Sequence, residues 1–566
     1  MFKRRFLKVL SILLISVSIF VLSVVSSTAC TSLMAGKNAT ADGSVLYGYC
    51  NDGNILSWLE IVPAMEFPEG TTTPILVNQP IPPTLDIYNR QILEGYKLVG
   101  QLPLPKKTYQ NILFKCRIMG RSPAGINEYG VTIGAEYTPF TPEITFSDEG
   151  YGAYGASTNH WTTSLVNIAL RTSKTAREAI TVMTSLAEKY GFRFYFSATA
   201  GLSFPIVDKN EAWVLEMFPA GPDWVPGSDK PGAVWCAERI PDDEVCIYAN
   251  RSRIQEINLD DPDHFMASPN IYSLAKKLGI WDPNTKFNWR EVYGQPGSMG
   301  NILREWTAFN KLAPSQGFKV TGDSNVDQYP WSFKPDKPVT FQNIVEVMRS
   351  QLEGTKWDVT EDSAFQVNGE KSPLARFGGG SDLFDLVGTK NYRTIATDST
   401  SQWFVAHLRN WLPKIVSPVV WYGLGGTNTS VITPIYPSIT KIPPSWSTKV
   451  DFSRVNRDQT AWNFCLVRNL GYIKYQEAIK DIKAVIEPTE ERFSEMLPGF
   501  EDHVIDVYNS KGYDSANEIL TNHCYYWLKQ VHNTYNELVD YMLYKYVFPN
   551  TSIAPPTLPQ VVLPAK

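Results

Sequence analysis

The hydrophobic positions of this chain change period several times, and each change predicts a different element. After Lys3, Arg4, Arg5 and Lys8, an apolar run extends from Val9 to Val25 with no Gly or Pro to break it. From Cys30 the pattern is strand-like. CTSLMAGKN and SVLYGYCND flank ATADG, whose Asp42-Gly43 is a turn dipeptide, so a hairpin is predicted over 30–52. Residues 54–120 read as short strands between Pro-rich loops, and GINEYGVTIGAEYT (125–138) as a turn plus strand. Near 161–190 the pattern becomes helical. Thr175 and Glu178 have capping-box spacing ahead of an apolar run ending at Tyr190-Gly191. FRFYFSA (192–198), EAWVLEMF (211–218) and EVCIYAN (244–250) return to strand.

The middle, about 255–390, is loop-rich. Its Gly378-Gly379-Gly380 lacks a following Lys-Ser/Thr and reads as a flexible loop, not a phosphate cradle. After about 455 the pattern is helical. Leu520, Cys524, Trp527, Val531, Tyr535, Leu538 and Met542 recur at spacings of three and four, with Ser515 and Glu518 capping the start. From Pro549 the tail is Pro-rich and reads as disordered or polyproline II. Blocks of strands followed by blocks of helices predict an α+β fold. The organisation expected is a leader over 1–29, a main domain over 30–455, a helical segment of the same unit over 456–548, and the tail over 549–566.

Bulk properties narrow the function classes. Hydrophobic residues make up 43% and charged residues 19%, a balance that builds a globular core and argues against disorder. The formal net charge is −5, and four of the cations lie in the leader, so the remainder is more acidic still. An acidic chain without a basic cluster argues against nucleic acid and anionic membrane as partners. No apolar run beyond the leader approaches the roughly 18 residues that span a bilayer. Seven cysteines in a chain this long do not make a disulfide scaffold, and no CxxC pair occurs. The six histidines show no HExxH or other metal spacing, so neither metal nor other cofactor is expected. His160 reads as a structural residue ahead of a helix.

The leader places Cys30 at an unusual address. A basic start, an apolar run and the small residues Ser27 and Ala29 at −3 and −1 are the parts of an export signal. Cleavage after Ala29 makes Cys30 the first residue of the mature chain, exported to the medium or the cell surface. Its thiol and a free α-amine then share one Cα. An α-amine titrates near 7.7–8.0, so one residue supplies both nucleophile and general base. A lipid-modified cysteine and an uncleaved signal anchor are the alternatives. The first consumes thiol and amine together, and the second leaves Cys30 mid-chain.

The residues that follow resemble a known family. CTSLMAGKNATADGSVLYGYCNDG is similar to the N-terminus of the secernin-like cysteine dipeptidases, which belong to the N-terminal nucleophile (Ntn) hydrolase superfamily. The resemblance continues in order through GINEYGVTIG, RTSKTAREAITVMTSLAEKYG, DKNEAWVLEMF, AERIPDDEVCIYANRSRI and YRTIATDSTSQWFVAHLRNWLP. It implies a four-layer αββα fold and metal-free hydrolysis of dipeptides. It also implies Cys30 as nucleophile and Asp52 as the carboxylate that orients its amine. For the oxyanion hole it implies the Asn250 side chain and the Tyr137 backbone N–H. Superfamily members often carry Arg three residues before the Asp, and this chain has Tyr49 there. Arg251, Arg253 and Arg393 are candidates for the missing cation. A linear amide acylase of the penicillin-acylase or choloylglycine-hydrolase type and a non-enzymatic surface lipoprotein are the competing readings. A homo-oligomer is left open, the helical C-terminal segment serving as cover or as interface.

Overall fold

A computed structural model describes residues 30–53, 56–78, 96–116, 121–144, 157–158, 161–162, 165–192, 194, 199–221, 223–225, 227–321, 329–376, 382–390, 392–548 and 556–563. The leader, His160, most of FRFYFSA and Gly378-Gly379-Gly380 lie outside them.

The predicted hairpin forms, with strands Cys30–Ala35 and Val45–Asp52 paired antiparallel so that Cys30 faces Asn51. It is the heart of a six-stranded sheet ordered Val245–Tyr248, Cys30–Ala35, Val45–Asp52, Thr400–Leu408, Val419–Leu424 and Thr433–Ile435. A larger, nine-stranded sheet runs Phe265–Ala267, Ala233–Arg239, Ala212–Pro219, Ala200–Val207, Thr132–Ile133, Arg121–Asn127, Asn111–Cys116 and Ser57–Val62. Glu136–Pro139 also pairs with Ala200–Val207. The pairings within both sheets are antiparallel.

The sheets meet face to face because strand periodicity sends alternate side chains to opposite sides. In Asn111–Cys116, Ile112 and Phe114 join the core shared with the hairpin, whereas Leu113 and Cys116 join a core shared with helices. Phe114 packs against Phe404 and Tyr422 of the smaller sheet, each at a centroid distance of 5.0 Å. Gly134 is required at this seam, since a Cβ there would collide with the Tyr47 hydroxyl and the Tyr49 ring.

Helices cover both outer faces. Leu165–Thr172 and Ala176–Tyr190 lie on the larger sheet. The predicted helical stretch is thus two helices, and the second starts at the predicted cap, where Thr175 accepts from Glu178 N at 3.2 Å. On the smaller sheet lie Met299–Leu312, Phe341–Met348, Thr460–Gly471, Tyr475–Lys511 and Tyr513–Met542. The layers are therefore helix, sheet, sheet, helix, the order that the family resemblance implied.

Two details differ from expectation. The last long helix starts at Tyr513 after Gly512, two residues before the predicted Ser515 cap. Of the tail, Leu558, Val561 and Leu563 pack on the helical core, and the Gln560 carbonyl accepts from Thr534. That stretch is docked, because its apolar residues find a groove between the long helices. No helix among the described residues is long and apolar enough to cross a membrane.

Helix Tyr475–Lys511 is fastened to the sheet by a buried ion pair. Arg409 makes two contacts to Glu501 at 2.6 Å, and the Tyr436 hydroxyl donates to the same carboxylate at 2.6 Å. Removing one partner strands a buried charge. Glu501→Ala should therefore lower unfolding stability by about 3–5 kcal/mol in a urea titration; a loss below about 1 kcal/mol would show that the helix is held otherwise.

Candidate active site

The hairpin register builds the site. Residues directly opposite each other in an antiparallel pair share a face, so Cys30, Asn51, Ser32 and Tyr49 all point into the seam between the sheets. Asn51 Nδ2 donates to Cys30 Sγ at 3.3 Å, and the Tyr49 hydroxyl lies 3.6 Å from the same sulfur while donating to the Ala135 carbonyl at 2.8 Å. Cys30 is 3% exposed. Burial pushes its thiol up to about 12, the negative charges of Glu136 and Asp52 add to the rise, and the hydrogen bonds from Tyr49 and the Asp52 backbone oppose it. A thiol in this setting holds its proton near neutral pH until a base removes it.

The Cys30 nitrogen donates to Asn250 Oδ1 at 2.9 Å. Asn250 follows strand Val245–Tyr248 and has φ 61°, a left-handed conformation that Asn tolerates better than most residues. The loop is fixed from behind by buried Glu216. That carboxylate accepts from Tyr248 Oη at 2.9 Å, Trp289 Nε1 at 2.7 Å and the Arg253 and Ile254 backbone N–H groups at 2.8 and 3.2 Å. Asn250 Nδ2 donates to the Tyr137 carbonyl at 2.9 Å. Cys30, Asn250 and Tyr137 are thus joined, but the contact uses Tyr137's carbonyl, and it uses one of the two amide N–H bonds of Asn250.

Asp52 is fully buried next to Cys30 in the chain's fold, where a bulge at Asn51/Asp52 turns the strand end. Its Oδ2 pairs with Arg393, and its Oδ1 accepts from Thr400 at 2.6 Å. Arg393 is therefore the one of the three candidate cations that reaches the site. Arg251 and Arg253 both turn to Glu305, at 2.5 and 3.1 Å.

Sequence reasoning missed four contributors. Arg304, on helix Met299–Leu312, donates to the Cys30 carbonyl at 2.5 Å, and to Thr31 Oγ1 and Asn250 Oδ1 at 2.9 Å each. Nothing in its local pattern marks it, since its role comes from a contact 274 residues away in sequence. Glu136 likewise comes from a distant strand. Asn51 was legible, because a hairpin turning at Asp42-Gly43 places it opposite Cys30. Tyr49 was singled out only as a missing arginine. The described cysteines are free thiols; Cys236 and Cys246, ten residues apart, sit in different sheets. Among the described residues no group of three His, Cys, Asp or Glu is placed to hold a metal ion.

The model of Peptidase family C69 matches residues 29–488, most of the chain and all of the residues just described. The protein belongs to peptidase family C69. Curated relatives are distant but long-matched. A "Probable dipeptidase" of Latilactobacillus sakei is 24% identical over 70% of this chain and 72% of its own length. "Dipeptidase A" of Lactobacillus helveticus is 23% identical over 79% and 83%, respectively. "Probable dipeptidase A" of Streptococcus pyogenes is 21% identical over 84% and 89%. Among solved structures, a penicillin V acylase from Agrobacterium tumefaciens aligns over 74% of this chain and 89% of its own at 12% identity, with a TM-score of 0.28, too low to argue from. In this C69 chain the family match begins at Ala29, one residue before the thiol.

The raised thiol has a measurable consequence. While Cys30 stays in this closed pocket, its alkylation by iodoacetamide should climb about tenfold per pH unit from pH 7 to 10 without levelling, because the reactive thiolate remains a minor species throughout. A plateau near pH 8.5, as for an ordinary cysteine, would contradict the burial argument. Tyr49→Phe, which removes one thiolate-stabilising hydroxyl, should slow alkylation further.

Proposed function

We propose that the protein is an exported, metal-independent cysteine dipeptidase of the Ntn type, with Cys30 as nucleophile and, after cleavage behind Ala29, as its own base. The observation that carries this reading is one buried site in which the Cys30 nitrogen meets the Asn250 side chain while Cys30 Sγ meets the Asn51 amide and the Tyr49 hydroxyl. The family match and the names of the relatives support peptide hydrolysis and favour dipeptides as substrates.

In this mechanism the free α-amine takes the thiol proton, directly or through water, as the sulfur attacks the scissile carbonyl. The buried thiol makes such a base necessary. Asn250 supplies an amide N–H to the oxyanion, Arg304 lends positive charge beside it, and the Tyr137 backbone borders the same point. The protonated amine then passes its proton to the leaving nitrogen, and the peptide's amino-terminal residue remains as a thioester on Cys30. Water attacks the thioester with the amine again as base. Asp52, held by Arg393 and Thr400, fixes the strand end and shapes the field at the amine.

The test is the N-terminal residue and intact mass of the exported protein, followed by assays on a dipeptide panel with and without chelator. A chain beginning with unmodified Cys30, activity lost in Cys30→Ala and insensitivity to chelator are expected. An added lipid, a retained leader with full activity, or an active alanine variant would overturn the reading. Asn250→Ala should lower kcat by about 10²–10³-fold with the fold intact, the usual effect of removing one oxyanion donor. Hydrolysis of acyl amides but not of dipeptides would transfer the site to acylase chemistry.

A further inference from the structure

Glu136 is a charged residue of the site for which the mechanism above has no use. It opens the strand Glu136–Pro139, is fully buried, and faces the seam at the level of Ser32. Neither carboxylate oxygen has a well-aligned hydrogen-bond partner. The Ser32 hydroxyl and the Asn250 backbone N–H lie near enough to favour its charged form, as does Arg304, yet burial outweighs them and lifts the carboxyl to about 8. An unsatisfied buried carboxylate is costly. Its retention here calls for a charge that the closed chain does not yet contain.

The neighbouring charges show what is missing. Asp52 is already engaged by Arg393 and Thr400. Arg304 is fully enclosed, and the hydrogen-bond acceptors it meets among the described residues are neutral, namely the carbonyls of Gly300, Cys30 and Ala249, Thr31 Oγ1 and Asn250 Oδ1. Arg304 alone does not draw the proton from Glu136. While Cys30 is joined to Ala29 its nitrogen is a neutral amide. Freed, the same nitrogen becomes a primary amine that carries a positive charge when protonated, still beside Asn250, whose backbone N–H borders Glu136.

We propose that Glu136 is a positioning residue whose carboxylate is the counter-charge for the α-ammonium of Cys30 once that residue begins the chain. The inference rests on the N-terminal nucleophile reading. Amine and carboxyl then share one proton over a narrow pH range, as two sites that titrate together. The amine stays protonated long enough to serve the leaving group, and the carboxylate keeps that ammonium next to Asn250. The other titratable groups facing Glu136 are Ser32's neighbours Tyr47 and Tyr49 on the hairpin, Cys30 itself, Asp52, Tyr248 and Cys246 on the adjoining strand, and Arg304 on the covering helix. The tyrosines and thiols remain neutral at the pH of interest because burial raises each of them.

The experiment is the pH dependence of kcat/KM for a dipeptide, measured on the processed full-length enzyme and its Glu136→Gln and Glu136→Asp variants. Removing a nearby anion lowers the amine's proton affinity, so the acidic limb of Glu136→Gln should move down by about one pH unit or more, the order expected for a unit charge several ångströms away at an effective dielectric near 20. Glu136→Asp, which keeps the charge, should restore most of the wild-type profile. A uniform loss of rate with an unmoved limb, as a merely structural role would give, overturns the proposal. Should Glu136→Gln not fold, the α-nitrogen of ¹⁵N-labelled wild type decides by NMR: two coupled titration steps support the pairing, and a single simple step overturns it. Activity in Cys30→Ala, or a blocked N-terminus on active enzyme, would refute the nucleophile reading itself and is separable from either result.

Discussion

The Asn250 side chain is the tie on which the site depends. Its carbonyl accepts from the Cys30 nitrogen and from Arg304, and its amide nitrogen reaches the Tyr137 carbonyl. One planar group thus links the first strand of the hairpin, a covering helix and a strand of the larger sheet. Its position follows from a left-handed backbone and from Glu216, which fills its lone pairs with two backbone N–H groups and side-chain donors just behind the loop. A rigid loop matters here because a displacement of about 1 Å can cost 10²-fold in rate.

Electrostatics then decide what the thiol can do. A buried sulfur flanked by two carboxyl groups is poorly suited to ionise unaided, and where the sequence resemblance led us to look for an arginine the chain has Tyr49. The hydroxyl of Tyr49 and the amide of Asn51 offer hydrogen bonds in its stead. Hydrogen bonds stabilise a thiolate less than a full positive charge does, and it is for this reason that the mechanism proposed above couples proton removal to attack and gives the base's role to the α-amine. The cations that are present, Arg304 and Arg393, act on the carbonyl side and on Asp52.

Much of this was legible in the chain. The hairpin with Asp42-Gly43 at its turn, the strand EAWVLEMF and the long C-terminal helix were marked by strong local periodicity, and each formed near the expected bounds. Boundaries were weaker. The cap at Thr175 was marked by its spacing to Glu178, but the separate helix ahead of it was not, because residues on both sides keep the helical pattern. The tail's Pro-rich composition gave no sign that Leu558, Val561 and Leu563 would find a groove. Cys30, Asp52, Asn250 and Tyr137 came from motifs, and the fold brings them within one neighbourhood. Their partners were less accessible. Of three candidate arginines only Arg393 arrived, since Arg251 and Arg253 are consumed by Glu305.

What local order encodes is a thiol placed at the head of a hairpin with Asn51 opposite it. Those facts follow from turn chemistry and strand period, which act over a few residues. What surrounds the thiol was decided by contacts spanning from 86 residues, for Tyr49 and Ala135, to 348, for Asp52 and Thr400. No local periodicity records such pairings. They arise because two sheets close face to face, and that closure strips water from Cys30, Glu136 and Arg304 alike. Charges left in such a seam interact strongly with one another, and their balance exists only in the folded chain.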